Sequence, residues 1–567
     1  MIESIMTRQQ AIEELCAPGQ PYELQLTDIR GRKCRVFANA PPTLRDLYAG
    51  TRSDLDFLIY DDERMSFDQV FRRASALAKA LLEDYGIRHG DRVAIAMRNY
   101  PEWVVTFFAV TSIGAIAVSI NALWTADELS NSLLNCEPRL IVVDQDRLDR
   151  LAERVVPPDL RIIRVRAQRN ARIASDEWNQ VLSAHAGAEM PQASISPDDD
   201  ATILYTSGSS GHPKGAVSSH RNIIHALLSL ELDLAIRQRR GLKPLPVPAH
   251  QHGMLLAVPL FHVMGSHTGM LAALRSQRKL VCMYRWDVQL GMQLIERERL
   301  TLLNAPSTIT GDLVQAAAST KRDLSSLLLV GGGGAARAPE QVRGIGRMSA
   351  AVFPVTGWGM TETNVVGTTV AGDCYLQRPT SSGQCSAVLD LRVVDQHGNE
   401  VPAGERGELQ VRGTSMFRAY WRSPEANAAA FDGDWFSTGD AALIDDEGYL
   451  YIVGRIKDLV IRGGENIGCG LVEAALVEHP AVVEACVYAL PDPRFGEVVA
   501  ATLYVTHRLT ESELHEFLAN KLAQFEIPHY IHQQFEPLPR IASCKIAKRQ
   551  LKTEAIERLG LGQVAAS

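Results

Sequence analysis

Three glycine-bearing segments carry the residues best suited to chemistry on phosphate. Residues 205–215, YTSGSSGHPKG, set three glycines, four Ser/Thr hydroxyls and one lysine behind the apolar run ATIL. Gly208 and Gly211 let backbone N–H groups approach anionic oxygens, Thr206, Ser207, Ser209 and Ser210 donate hydrogen bonds, and Lys214 adds a point charge. The segment is not a Walker A loop, because His212 and Pro213 separate Gly211 from Lys214. A merely flexible Gly/Ser loop is the alternative. Residues 357–363, GWGMTET, place the Trp358 ring between glycines and then Thr361 beside Glu362. That trio could stack a base, touch a phosphate and hold Mg²⁺.

The third segment, GGGGAA, follows LLLV and formally fits a dinucleotide fingerprint. That fingerprint needs an acid about 20 residues on, and the next strand-like run, AVFPVT, leads into Gly357 without one. Gly334, Ala335 and Ala336 therefore read as close backbone packing against a flat ligand. Downstream, Asp440 in WFSTGD and Arg455 in GRIKD could bind hydroxyls, and Lys545 in PRIASCKIAKRQLK could meet developing negative charge. Each alone would pass for a solvated surface charge. His250, His252, His262 and His267 fall close together but lack helical spacing and a nearby carboxylate, so loop histidines are expected rather than a metal site.

These residues need a scaffold. Helical patterns such as FDQVFRRASALAKALLEDYG alternate with the β-branched runs DRVAIAM, RLIVVD and ATILYT. The alternation implies an α/β fold with mostly parallel sheets covered by helices. The uncharged stretch from Trp103 to Ala126 reads as a buried helix, a Gly114 turn and a buried strand rather than a membrane span. A polar region from Arg166 to Asp200 is expected to divide a first α/β unit from a second one opening at ATILYT. From about Gly383, the short strands LRVVDQHGNE, GELQVRG and GYLYIVGR suggest a small β-rich unit. The last hundred or so residues return to a compact α/β mixture, with GRIKD as the joint.

Composition narrows the function. The 567 residues suffice for three or four compact units, and 46% hydrophobic with 22% charged residues is ordinary globular usage. A net charge of −8 gives no global attraction to nucleic acid, so phosphate must be held locally. Nine scattered cysteines without a CxxC pair indicate neither a disulfide framework nor a thiolate metal site, and the N-terminus lacks a signal-peptide core. A cytoplasmic protein without integral membrane association is expected; a homodimer stays open.

Taken in order, YTSGSSGHPKG, GWGMTET, STGD and GRIKD resemble the adenylate-forming superfamily of acyl-CoA synthetases, luciferase-like enzymes and adenylation domains, across nearly the whole chain. The resemblance implies a large N-terminal domain of two α/β subdomains plus a β-rich subdomain (1–453), a hinge (454–458) and a mobile α+β C-terminal lid (459–567). It implies ATP, Mg²⁺ and coenzyme A as partners of a small carboxylic acid. The acid attacks the α-phosphate of ATP, and a thiol then displaces AMP. By motif position, Thr206 to Gly211 with Lys214 would wrap the β- and γ-phosphates, Thr361 would touch the α-phosphate and Glu362 would bind Mg²⁺. Trp358 and Gly334 to Ala336 would line adenine, and Asp440 and Arg455 would hold the ribose. Lys545 would serve adenylation; the lid would then turn about Lys457 and bring Arg462, Gly463 and Gly464 to the pantetheine channel. His262 in PLFHVMG matches a gate near the acyl carboxylate, with Val263, Met264 and Gly265 shaping the pocket.

Three departures stand out: Cys544 where the family usually has Gly, Glu526 where it often has Lys, and GCGLVE where a Pro-containing stretch is usual. The leading expectation is a fatty acyl-CoA synthetase. The alternatives are an aryl or steroid acid CoA ligase, an acyl-AMP ligase serving a carrier protein, a luciferase-like oxygenase and a non-catalytic regulator. The last should have lost Lys545 or Glu362, and both are present.

Overall fold

The structure, a computed structural model, describes residues 6–169, 173–206, 213–244, 247–334, 337, 339–349, 351–462, 465–541 and 545–561. Two sheets organise the large domain. In the first, eight strands run in the order Ala419–Tyr420, Lys214–Ser219, Asp200–Thr206, Ile116–Ser119, Arg92–Ala96, Leu140–Val143, Arg161–Arg164 and Asp176–Glu177. Its central strands are parallel, and Lys214–Ser219 turns back antiparallel on Asp200–Thr206. The second sheet carries the parallel set Asp56–Tyr60, Lys279–Cys282, Gly253–Leu256, Leu302–Asn304, Leu329–Gly332 and Phe353–Thr356. It continues through Thr368–Ala371 into the antiparallel ladder that ends in Tyr449–Arg455, Trp435–Ile444, Gly407–Gly413 and Leu389–Val394.

One apolar core spans both sheets and the helices Phe67–Glu83, Pro101–Ser112 and His220–Arg239. Every residue of Pro101–Ser112 except Glu102 is buried, which accounts for the uncharged stretch without a bilayer. Among the described residues no helix is long and apolar enough to cross a membrane. The expected division at Arg166–Asp200 is corrected: the strand Asp200–Thr206, containing ATILYT, pairs with Ile116–Ser119 and so completes the first sheet. A long polar connection reads as a domain boundary in sequence, yet here it holds a short strand and the helix Trp178–Ala184 on the way back to the same sheet. The early strand Asp56–Tyr60 crosses instead to the second sheet, beside Lys279–Cys282.

Beyond the turn Ile456–Asp458 the chain forms a separate sheet. Glu465–Ile467 and Val460–Arg462 lead to Gly496–Val505, which pairs with Val482–Asp492 and, in parallel, with Tyr530–Gln534. One apolar cluster packs Val472, Leu476, Leu514 and Leu518 against one face. A second packs Leu538, Leu551 and Ala555 against Cys486 and Tyr488 on the other. The small sheet thus has its own two-sided core, as a separate domain requires.

Candidate active site

The site gathers where the parallel strands of the second sheet end and the lid meets them. Leu329–Gly332 lies between Leu302–Asn304 and Phe353–Thr356. At Gly332 φ is 151°, and a Cβ there would sit 1.9 Å from the Ala305 carbonyl oxygen, so only glycine lets these strand ends close up. Gly334, at φ 83°, faces the lid instead: a Cβ on it would lie 3.6 Å from Lys545 Cε, 3.8 Å from Lys545 Nζ and 3.8 Å from the Met264 methyl. The glycine run is therefore strand packing at its start and cleft wall at its end.

Lys545 thus brings its amine to the large domain's glycine loop. Lys545 is exposed as a residue, yet the protein around its amine desolvates it. Desolvation and the Arg455 guanidinium lower its pKa below the ordinary lysine value, and Asp440 pulls the other way. His262 feels the same amine. Burial, with Lys545 adding repulsion, pushes its pKa down to about 4, so the imidazole is neutral at physiological pH. Its Nε2 is buried without a hydrogen-bond partner among the described residues. The loop carrying it is fixed from the first sheet's side: Leu260 N–H donates to Asn99 Oδ1 at 2.8 Å, and Asn99 Nδ2 donates to the Val258 and Met283 carbonyls at 3.0 and 3.1 Å. A π-helix, Met264–Leu271, follows; such turns recur at functional sites.

Asp440 and Arg455 face each other across the antiparallel strands Trp435–Ile444 and Tyr449–Arg455. Arg455 Nε lies 2.9 Å from Asp440 Oδ1, and Trp358 Nε1–H donates to Asp440 Oδ2 at 2.8 Å. Asp440 is 5% exposed. Burial raises its pKa, and Arg455, the Trp358 bond and Lys545 hold it down. The aromatic ring, the acid and the arginine expected around a nucleoside are thus linked by direct bonds.

Thr361 and Glu362 sit in the 3₁₀ turn Thr361–Thr363. Phe417 N–H donates to the Glu362 carbonyl at 2.7 Å, and Tyr420 O–H donates to Glu362 Oε1 at 2.7 Å. Burial raises the pKa of Glu362, and Tyr420 is the foremost group that lowers it again. Thr206 and Lys214 are register partners at the mouth of their hairpin, with the Thr206 hydroxyl 3.3 Å from the Lys214 carbonyl. Lys214 Nζ sits 5.1 Å from the centroid of the Tyr420 ring. Tyr420 therefore touches both Glu362 and Lys214, and the sequence alone did not single it out. Its signal was faint: an aromatic in RAYW, on a two-residue edge strand, Ala419–Tyr420, that pairs with Lys214–Ser219. Asn99 was missed for a like reason, an ordinary Asn before YPEW that proves buried.

Ser207, Gly208, Ser209, Ser210, Gly211, Ala335, Ala336, Gly463, Gly464 and Cys544 lie outside the described residues. Lys457 is in the exposed 3₁₀ turn Ile456–Asp458. Of the four histidines, His250 bonds the Arg299 carbonyl, His252 meets Thr301 Oγ1, and His267 bonds Ser266 Oγ. Among the described residues no group of three or more His, Cys, Asp or Glu side chains could hold a metal ion. Glu362, a buried carboxylate with one oxygen engaged by Tyr420, is an oxygen donor that fits Mg²⁺ shared with a phosphate-bearing ligand.

The arrangement matches known proteins over most of its length. The sequence profile of the AMP-binding enzymes fits residues 44–421, and that of the AMP-binding enzyme C-terminal domain fits residues 471–545. The 2-succinylbenzoate–CoA ligase of Bacillus velezensis is 30% identical over 496 residues, covering 87% of this chain and 94% of its own. The long-chain-fatty-acid–CoA ligase FadD13 of Mycobacterium tuberculosis is 30% identical over 497 residues, with 87% and 93% covered. The crystal structure of the anthranilate CoA ligase AuaEII in complex with anthranoyl-AMP superposes with a TM-score of 0.81 at 26% identity, covering 91% of this chain and 98% of that one. A chain matched by both profiles, in a two-domain α/β fold, belongs to the adenylate-forming AMP-binding enzymes and is an AMP-forming acid–CoA ligase using ATP, Mg²⁺ and coenzyme A.

Proposed function

We propose that the enzyme joins a hydrophobic carboxylic acid, a medium- or long-chain fatty acid, to coenzyme A through an acyl-adenylate. The observation that carries this reading is the convergence of the Lys545 amine, Gly334, Met264 and neutral His262 at one end of a cleft whose other wall holds Asp440 and Arg455. A carboxylate is a poor electrophile, and adenylation gives it a good leaving group. The protein's task is alignment and charge neutralisation. Trp358 and Gly334 would flank the adenine and Asp440 with Arg455 the ribose. Thr361 and Lys545 would then meet the α-phosphate as the acid attacks it and pyrophosphate leaves. Lys214 and the hairpin loop would hold the departing phosphates. Glu362 would hold Mg²⁺, which when bound neutralises phosphate charge.

His262, uncharged and flanked by Phe261 and Met264, offers the acid an apolar entrance rather than a counter-ion. The apolar loop Leu260 to Met264 and the FadD13 relative support a fatty acid. A second reading, an aryl acid, is favoured by the relatives that act on 2-succinylbenzoate and anthranilate by name. After adenylation the lid would turn about Lys457 and exchange Lys545 for the loop that follows Arg462.

The test is AMP release from acids of graded chain length and ring content, with and without CoA, repeated with Lys545→Ala. We expect release with hydrophobic acids, a loss of at least about 10²-fold in pyrophosphate exchange for the variant, and near-normal thiolysis of supplied acyl-adenylate. Exchange at the wild-type rate in Lys545→Ala would remove the assignment; turnover confined to short polar acids would remove the substrate class.

A further inference from the structure

We propose that Tyr420 is a positioning residue for the metal-binding carboxylate, setting Glu362 and Lys214 together through one side chain. The inference rests on the roles given above to Glu362 and Lys214. Tyr420 is 9% exposed and Glu362 5% exposed. The hydroxyl gives a 2.7 Å hydrogen bond to Oε1 while the ring face carries the Lys214 ammonium at 5.1 Å. A hydrogen bond to an ionised carboxylate is short and strong, and an ammonium over an aromatic face is held electrostatically. The ring itself is immobilised. Its backbone N–H donates to Asn427 Oδ1 at 2.7 Å and its carbonyl accepts from Asn427 Nδ2 at 3.0 Å, and it packs edge-on against Phe417 at 4.9 Å.

Tyr420 neither acts on substrate nor supplies the metal ligand. Its hydroxyl engages Oε1 and so fixes the orientation in which the buried carboxylate would meet the cation. The charged and titratable groups acting on Glu362 are Tyr420, Arg455 and Asp440. Arg455 and Asp440 are paired with each other at 2.9 Å, which leaves Tyr420 as the partner dedicated to Glu362.

The experiment is Mg²⁺ dependence of acid-dependent pyrophosphate exchange, with ATP and the acid titrated in parallel, for Tyr420→Phe, Tyr420→Leu, Asn427→Ala and Glu362→Gln. Loss of a hydrogen bond to a charged group is worth about tenfold or more. Tyr420→Phe should therefore raise the Mg²⁺ concentration for half-maximal rate about tenfold. It should do so at an unchanged KM for the acid. Tyr420→Leu, which also removes the ring face under Lys214, should in addition raise KM for ATP. Asn427→Ala keeps the hydroxyl but frees its backbone, and should shift Mg²⁺ dependence in the same direction by less; it decides the matter if Tyr420→Phe does not fold. Mg²⁺ dependence within twofold of wild type in folded Tyr420→Phe, with Glu362→Gln shifted, overturns this inference alone. An unshifted Glu362→Gln overturns the metal assignment beneath it.

Discussion

A lysine that works as a cation must be charged when it works, and the surroundings of Lys545 make that a matter of pH. Its pKa is lowered by desolvation and by Arg455, so the charged amine is present below that value and is lost as pH rises through it. Adenylation should therefore show an alkaline limb beneath the ordinary lysine range, and Lys545→Arg, always charged, should be slower but lack that limb. An alkaline limb unchanged in the arginine variant would assign it to another group. His262, with a pKa of about 4, contributes nothing to a profile measured between pH 6 and 9. Lys545, Glu362 and Asp440 stand out in the sequence because their motifs fix type and spacing together, and the structure places Lys545 and Glu362 both near Asp440. The bonds among them were not legible there, since the Trp358–Asp440 contact joins residues 82 apart. Tyr420 and Asn99 act through partners far along the chain, and no local pattern marks such a role.

At the scale of elements, strands and helices with clear periodicity were readable: Phe67–Glu83, Arg92–Ala96, Leu329–Gly332 and Tyr449–Arg455 all fall where their apolar patterns put them. Sheet membership was not, because pairing of Asp200–Thr206 with Ile116–Ser119 is a non-local choice that a polar connection disguises. In the proposed mechanism the turn Ile456–Asp458 is the element on which the second half-reaction would depend. Proline fixes φ near −65°, which a 3₁₀ turn already adopts, so Lys457→Pro should hold the lid in the arrangement seen here. Adenylation should persist while acyl-CoA formation falls and acyl-adenylate accumulates in quenched reactions. Normal CoA turnover by that variant would show that the joint lies elsewhere.

The whole molecule carries a pH signature of its own. Burial pushes His220, His225, His262 and His267 to about 4 from an ordinary 6.5. A group depressed on folding lends stability that is full above its unfolded pKa and is withdrawn as pH falls toward the folded one. Thermal unfolding midpoints should accordingly drop between about pH 6.5 and 4, even though buried Asp440, Glu362 and Asp144, with raised pKa values, oppose the trend. His225→Phe, beside Phe37 and away from the cleft, should flatten the slope; a midpoint constant from pH 7 to 4.5 would contradict it. One feature joins stability to turnover. Arg455 closes its strand two residues ahead of Lys457, so the guanidinium gripping Asp440 stands beside the proposed pivot. Whatever loads that anchor stiffens the root of the arm beyond it, and its departure slackens the root. If the arm turns there as proposed, emptying the cleft and releasing the arm would be a single event, a clock kept by the body rather than by the part that swings.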